Sequence, residues 1–222
     1  MGDILRLLNY IKINANLTRA EVINCFENSQ ILVNNIPCSP SYVIKENDVI
    51  TLNGKIINRI ELKYYLYNKP RGILSDITNK PSSYINHINI PIKLMPVGRL
   101  DKESRGLMIL TNDGEYINKM LNPKNHAEKE YLVYVKNIIT DDFLNRLNSI
   151  KELDGHILKP FIIKKNDNLS FYITLTEGKY HQIRKMVKNA LNEVTDLIRI
   201  RIADYKIDEV SEGEIKEIKP NE

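Results

Sequence analysis

The segment Met95-Pro-Val-Gly-Arg-Leu-Asp101, followed by Lys102-Glu-Ser-Arg-Gly106 and the apolar run Leu107-Met-Ile-Leu110, decides how this chain is organised. The apolar run predicts a buried β-strand that holds the preceding loop in place. Three cations neighbour Asp101 in the sequence: Arg99, Lys102 and Arg105. Nearby positive charge favours the ionised carboxylate, which makes Asp101 a candidate nucleophile. The alternative is a turn aspartate in a surface ion pair.

Composition indicates a globular protein of one or two domains. The chain has 222 residues, of which 42% are hydrophobic and 27% are charged, as is usual for such proteins. No apolar run is long enough to cross a bilayer, and the first residues lack a signal-peptide pattern. We therefore expect a cytoplasmic protein without a membrane partner, and a monomer.

Cysteine usage argues against a metal site. Only Cys25 and Cys38 are present, with no CxxC pair, and the four histidines are scattered singly. Structural zinc sites need clustered thiolates and imidazoles, so we predict no metal ligands. Phosphate-cradling GxxxxGK[ST] and dinucleotide-binding GxGxxG motifs are also absent from the sequence.

The first part of the chain has the pattern of a small separate module. An apolar stripe over Ile4–Ile11 predicts a helix, and Thr18 with Glu21 forms a capping box for a second helix. The segments Ile31–Val33 and Val49–Leu52 are strand-like, and the turn pairs Asn34-Asn35 and Asn53-Gly54 follow them.

This module resembles the S4 RNA-binding domain. The residues that carry the resemblance are Leu17–Glu21, Ile31–Asn35 and Asp48–Gly54. The resemblance implies that residues 1–58 bind RNA. The same residues carry five cations and five anions, whereas the family usually carries several basic residues where its second helix begins. A docking or stability domain is the alternative.

Residues 62–222 are expected to form the second domain. Strands and helices are intermixed and several strands alternate, which predicts an α+β fold with a mixed, mainly antiparallel sheet flanked by helices. Residues 76–90 are polar and predict a mobile surface loop. Asn112, followed by Glu115, is the expected N-cap of a helix. The alternating segment Leu197–Ile202 predicts a half-buried strand with Arg199 and Arg201 on its polar side.

Four motifs in this second region occur in a characteristic order. They are Asn68-Lys-Pro-Arg-Gly72, Gly98-Arg-Leu-Asp101 with Gly106–Gly114, Lys129-Glu-Tyr131, and Glu177-Gly-Lys-Tyr-His-Gln-Ile-Arg-Lys-Met186. Together they resemble the RsuA branch of RNA pseudouridine synthases, to which RluB and RluF belong. The resemblance covers essentially the whole chain, including the S4-like module.

The resemblance implies a role for each matching residue. Asp101 matches the catalytic aspartate, and Tyr131 matches an active-site tyrosine that packs on the target base. Arg184 matches a basic residue that pairs with the aspartate, and Lys69 matches a lysine near the site. The reaction turns uridine into pseudouridine without redox change or loss of a group, so no cofactor is expected.

The expected partner is RNA, and ribosomal RNA in particular. The net charge of +4 fits a polyanionic partner. The spacing i, i+3, i+7 places His181, Arg184 and Lys188 on one face of a predicted helix, which makes that face basic. The basic residues expected to bind RNA are Lys69, Arg71, Arg99, Lys129, Lys185 and Lys188, with Arg201 as a further phosphate contact.

Two other classes of function remain open at this point. A non-catalytic RNA-binding or ribosome-assembly protein on the same scaffold would not need Asp101, Tyr131 and Arg184 together. A hydrolase acting on a sugar bond would normally need a second carboxylate. Glu103 is near in the sequence, but it belongs to a charged turn.

Overall fold

The computed structural model describes residues 6–15, 17–78, 80–122, 124–125 and 127–220. The chain divides into two compact units, Met1–Leu62 and Lys63–Glu222. Within the described ranges, no helix is long and apolar enough to span a bilayer. The prediction of an α+β fold is confirmed by the elements of the two units.

The first unit combines two helices with a four-stranded antiparallel sheet. The helices are α1 (Leu7–Asn14) and α2 (Arg19–Glu27). The strands are β1 (Ile31–Val33), β2 (Ile36–Pro37), β3 (Ile50–Leu52) and β4 (Lys55–Ile56), in the order β2-β1-β3-β4. Its core consists of Leu7, Tyr10, Ile11, Val22, Ile31, Val33 and Ile50.

Local sequence signals in this unit are confirmed. The Thr18 hydroxyl accepts from the Glu21 amide and the Glu21 carboxylate accepts from the Thr18 amide, so the capping box is complete. Asn34, Asn35 and Asn53 adopt φ values of 51°, 66° and 51°, which suit tight hairpin turns. The predicted first helix covers Leu7 onward, whereas Ile4 and Leu5 lie outside the described residues.

The second unit is built on a nine-stranded mixed sheet. Its strands are β5 (Tyr64–Lys69), β6 (Met95–Pro96), β7 (Arg105–Thr111), β8 (Lys129–Val135), β11 (Ile162–Lys165), β12 (Ser170–Leu175), β13 (Val194–Ile202), β14 (Tyr205–Lys206) and β15 (Ile215–Ile218). The order is β11-β12-β8-β13-β7-β5-β15, with β14 beside β13 and β6 beside β7. The pairing of β13 with β7 is parallel, and the other pairings are antiparallel.

Helices cover both faces of this sheet, and a short hairpin lies outside it. The helices are α3 (Gly114–Leu121), α4 (Asp141–Ser149) and α5 (Gln182–Asn189). Helices α4 and α5 contribute Phe143, Ile183 and Met186 to the core that contains Met108. Helix α3 packs against the other core, around Leu107. The hairpin consists of β9 (Glu152–Leu153) and β10 (His156–Ile157).

Strand β5 includes Asn68 and Lys69, which pair with β7. Two local predictions for this unit differ from the structure. Asp113, rather than Asn112, caps α3, and its carboxylate accepts from the amides of Glu115 and Tyr116. The segment 76–90, predicted to be a mobile surface loop, is anchored by Tyr84.

Tyr84 has no exposed surface, and its hydroxyl donates to the Leu94 carbonyl at 2.7 Å. Its amide donates to the carbonyl of Leu74 at 3.0 Å. Burial of a whole aromatic ring stabilises the segment around it, which a polar sequence pattern does not reveal.

Candidate active site

The loop that carries Asp101 joins β6 to β7 and is fastened at both ends. The Ser75 hydroxyl donates to the Leu100 carbonyl at 2.8 Å and accepts from the Leu100 amide at 3.1 Å. Beyond Asp101, the amide of Gly72 donates to the carbonyl of Lys102 at 2.8 Å. The Asn68–Gly72 motif therefore supports the loop through its backbone.

The side chain of Asp101 faces an imidazole. His181 Nε2 lies 3.4 Å from Asp101 Oδ1, and the two side chains are 37% and 34% exposed. His181 is the N-cap of α5 and has a left-handed conformation, with φ 53° and ψ 30°. Helix α5 thus begins at Gln182. His181 therefore lies before the helix and not on the helix face that was predicted to contain it.

Arg184 contacts the same loop through its backbone and a hydroxyl. Its Nη2 donates to the Glu103 carbonyl and to Ser104 Oγ, each at 3.1 Å. The family resemblance implies a pair between Arg184 and Asp101, but among the described basic side chains it is His181 that lies within 4 Å of the Asp101 carboxylate. Arg184 is brought to the loop without making the predicted pair.

Arg105, one of the cations that neighbour Asp101 in the sequence, has other partners. Arg105 forms ion pairs with Asp196 at 2.9 Å and with Glu212 at 3.0 Å. Arg71 is the partner of the Glu103 carboxylate at 3.2 Å. Sequence proximity therefore does not describe the electrostatic surroundings of Asp101.

A row of paired residues crosses four strands beside this loop. Lys69 on β5 pairs with Gly106 on β7, Gly106 pairs with Arg199 on β13, and Arg199 pairs with Tyr131 on β8. Directly paired residues project to the same face of a sheet. Lys69, Arg199 and Tyr131 are therefore neighbours along one face, and all three are buried.

Lys69 is buried instead of facing solvent. Its side chain has no exposed surface, and its Nζ donates to the carbonyls of Pro70 and Ile73 at 3.0 and 2.7 Å. Burial lowers the pKa of Lys69 to about 8; the charge of Arg199 lowers it further, and Asp101 and Glu103 oppose these effects. The expected phosphate contact by Lys69 does not fit this placement, whereas support of the adjoining loop does.

Arg199 is the second residue of this row whose placement differs from the sequence prediction. It is 1% exposed, its Nε donates to the Leu107 carbonyl at 2.7 Å, and its Nη2 is buried without a partner among the described residues. The register of β13 against β8 shifts between Arg199 and Arg201. This bulge breaks the alternation on which the prediction of a shared polar side rested.

Tyr131 and Lys129 lie on the same strand, β8. Tyr131 is 8% exposed and belongs to the core that also contains Leu100. The Nζ of Lys129 donates to the Ala127 carbonyl at 3.1 Å. Burial lowers the pKa of Lys129, and the charges of Arg199 and Lys159 lower it further.

The other residues predicted to bind RNA differ in their partners. Arg99 and Lys188 are exposed and form no ion pair within the described ranges. Lys185 pairs with Asp154 at 2.5 Å. Arg201 pairs with Glu128 and Glu130, each at 2.9 Å. Among the predicted RNA contacts, Arg99 and Lys188 are thus the two whose charge is directly available to a phosphate.

The described residues contain no obvious set of metal ligands. No group of three or more His, Cys, Asp or Glu side chains is arranged there to hold a metal ion. Cys25 and Cys38 are free thiols in the first unit.

Comparison with known proteins identifies relatives along the whole chain. The family model described as RNA pseudouridylate synthase matches residues 63–189. The dual-specificity RNA pseudouridine synthase RluF of Salmonella typhi is 33% identical over 98% of this chain and 76% of its own length. The ribosomal small subunit pseudouridine synthase A of Haemophilus influenzae is 31% identical over 98% of this chain and 97% of its own length.

One solved structure extends this similarity to three dimensions. It is described as a pseudouridylate synthase and superposes with a TM-score of 0.69 at 29% identity, over 97% of this chain and 96% of its own. The similarity thus includes both units of the fold.

Proposed function

Since this chain belongs to the RsuA/RluB/RluF family of RNA pseudouridine synthases, we propose that it isomerises a uridine of ribosomal RNA, with Asp101 as the nucleophile. Membership of this family means that the protein is an isomerase that acts on RNA. The ribosomal target is supported by the relative from Haemophilus influenzae, whose name assigns it to the small ribosomal subunit.

One observation supports the role of Asp101: its carboxylate is accessible, and the loop that carries it is held in place. Its carboxylate is 34% exposed, so a ribose or base can reach it, and His181 lies 3.4 Å away. The loop around it is fastened by Ser75 on one side and by Arg184 on the other. A nucleophile held in one geometry reacts faster because less motion must be frozen in the transition state.

The reaction conserves all atoms of the nucleoside. The N1–C1′ bond breaks, the base turns over, and a C5–C1′ bond forms; the C5 proton leaves and N1 gains one. Asp101 attacks either C1′ of the ribose, forming an ester that C5 then displaces, or the base, forming an adduct that is then eliminated; in both cases the carboxylate is released. The base must first leave the RNA stack to reach the carboxylate.

Tyr131 is the proposed surface for the loose base. It is 8% exposed and shares a core with Leu100, the residue before Asp101, so packing holds the ring in one orientation close to this loop. An aromatic ring stacks on a base without demanding specific hydrogen bonds, and therefore tolerates rotation of the base. The neighbouring Arg199 donates to a backbone carbonyl of β7, and Lys69 donates to two carbonyls of the segment that follows β5.

Residues 1–58 are proposed to be an S4-like module that contributes to RNA binding, and residues 62–222 to be the catalytic domain. Support comes from the order of two helices and a small antiparallel sheet in the first unit. Because cations and anions balance in this segment, its contribution would come from shape and hydrogen bonds rather than from net charge.

The test maps pseudouridine in total RNA from cells with and without the gene. The RNA that loses a pseudouridine is then treated with purified wild-type protein and with Asp101→Asn. Wild type should restore the modification, and the variant should bind the RNA with similar affinity but form no product, because the amide cannot act as the anionic nucleophile.

Glu103→Gln is the matched control in the same loop. Its carboxylate is exposed and paired with Arg71, and such surface pairs contribute less than about 1 kcal/mol. This variant should keep most activity. Full activity of Asp101→Asn would end the assignment of the nucleophile, and loss of pseudouridine only from transfer RNA would end the ribosomal assignment.

A further inference from the structure

A pocket beside the candidate active site is not used by the reaction described above. Its volume is about 430 Å³, within the range of about 300–1,000 Å³ that small-molecule sites occupy. The residues that line it come from the β9–β10 hairpin, from the segment before α5 and from α5 itself: Leu153, Asp154, His156, Lys179, Tyr180 and Lys185.

Tyr180 is the unusual member of this lining. Its side chain is 74% exposed, although a tyrosine ring gains stability by burial. The ring stacks on the imidazole of His181, with 4.0 Å between centroids and 16° between planes. Lys185 Nζ lies over the ring, 5.0 Å from its centroid, so a base that stacks there shares the ring with this ammonium. The ring is therefore held in one orientation while most of its surface stays open.

The stacked pair connects the pocket to Asp101. His181 touches the Asp101 carboxylate on one side and the Tyr180 ring on the other. Two stacked rings, His181 and Tyr180, therefore separate a group in the pocket from the Asp101 carboxylate. An RNA strand whose bases are splayed apart rather than stacked can place the nucleotide next to the target at that separation.

Charge alone does not identify the occupant. Lys185 is paired with Asp154 at 2.5 Å, and Lys179 Nζ donates to the Ile157 carbonyl at 2.7 Å and lies 3.9 Å from Glu177. A free phosphate would have to compete with these carboxylates. The exposed ring favours a flat, uncharged group, which a nucleobase provides.

We propose that this pocket binds the base of an unpaired nucleotide next to the target uridine, stacked on Tyr180. The proposal rests on the proposed function, because it requires the target uridine to lie at Asp101. It adds a second flipped-out base to the requirements for a substrate, so an RNA in which the target alone is unpaired would bind more weakly.

The test uses the RNA hairpin in which the target uridine has been mapped. Tyr180→Ala should raise KM about 5- to 100-fold, the range expected for loss of one stacked base, and should leave kcat within about twofold because the base does not react. Tyr180→Phe keeps the ring and should keep the wild-type KM. Ile138→Ala, at a residue that is 65% exposed and outside the site, is the control.

Coupling between protein and RNA locates the occupant. Each nucleotide that flanks the target is replaced in turn by an abasic residue. At one position the replacement should raise KM for wild type as much as Tyr180→Ala does, and should have no further effect on that variant. A 2-aminopurine at that position should lose fluorescence on binding to wild type but not to Tyr180→Ala.

Additive effects at every flanking position would overturn the proposal, as would an unchanged KM of Tyr180→Ala. The latter result is expected if the pocket binds a protein instead. Turnover of the unmodified hairpin by wild type reports the proposed function separately, so failure of the enzyme on ribosomal RNA and failure of the pocket give different results.

Discussion

Gly106 lies so close to Arg199 that a Cβ atom on the glycine would be 2.4 Å from the Arg199 carbonyl oxygen. The two residues are partners in the parallel pairing of β7 and β13. Gly106 also has φ +111°, a conformation that residues with a side chain rarely adopt. The approach of β13 to the start of β7 therefore depends on a residue without a Cβ atom, five positions after Asp101.

Gly106→Ala should lower the free energy of unfolding by about 3 kcal/mol, because the clash involves backbone atoms and the dihedral angle is strained. Chemical denaturation measures this change. Gly114→Ala is the control: no described atom lies within 4 Å of a Cβ there, and α3 should gain up to about 1 kcal/mol from alanine. Equal midpoints for the two variants would contradict the close approach.

The lowered pKa of Lys69 predicts a pH dependence of stability. Burial lowers the pKa of Lys69 in the folded protein to about 8, whereas the pKa of an unperturbed lysine is 10.5. Between these values the unfolded chain binds more protons, so the free energy of unfolding should rise with pH, by at most about 1.4 kcal/mol per pH unit. Below pH 8 both states are protonated and this contribution to the slope vanishes.

Lys69→Met should reduce that rise and leave the part that comes from Lys129, whose pKa burial also lowers; urea unfolding at pH values from 7 to 10 measures the change. Lys188→Met, at an exposed lysine, should retain the wild-type slope. The comparison uses slopes, so a general loss of stability in Lys69→Met does not affect it. Identical slopes for wild type and Lys69→Met would show that the lysine titrates in the same way in both states.

Arg184→Ala should lower kcat about 10- to 100-fold, because the loop of Asp101 loses its contacts at Glu103 and Ser104 and the nucleophile is less well positioned. Arg184→Lys should recover part of this loss, since one ammonium can still reach the loop. Steady-state kinetics on the mapped RNA separates kcat from KM. A raised KM with unchanged kcat would instead make Arg184 an RNA contact.

Arg99 and Lys188 should each contribute one phosphate contact. Replacing either by Gln should flatten the dependence of log affinity on log salt by about 0.7–0.9, the effect of one fewer released counterion. Filter binding between low and physiological salt measures this slope. Lys69→Met should leave the slope unchanged because that side chain is buried. A flatter slope in Lys69→Met would mean that the segment opens on binding RNA.

Much of the fold could be predicted from short stretches of sequence. The capping box at Thr18, the turn at Asn53 and the buried strand after Ser104 depend on residues within a few positions of one another. The order of four motifs also predicted the family, which the relatives confirm. The nucleophile, the tyrosine and the RNA contacts stay predictions.

The surroundings of Asp101 could not be obtained in this way. The sequence suggested Arg99, Lys102 and Arg105 as its cationic neighbours and Arg184 as its partner, whereas His181 occupies that place. A left-handed residue at the start of α5 turns the imidazole toward the loop. No local sequence pattern predicts a left-handed conformation for a histidine.

By itself, the sequence determined the elements, the α+β class and the family, because helix capping, turn formation and alternation are decided by near neighbours in the chain. Only the tertiary structure decided that Lys69 and Arg199 are buried and that Tyr180 stays exposed beside His181. Burial depends on which strands meet, and a single bulge in β13 was enough to reverse the side predicted for a charge.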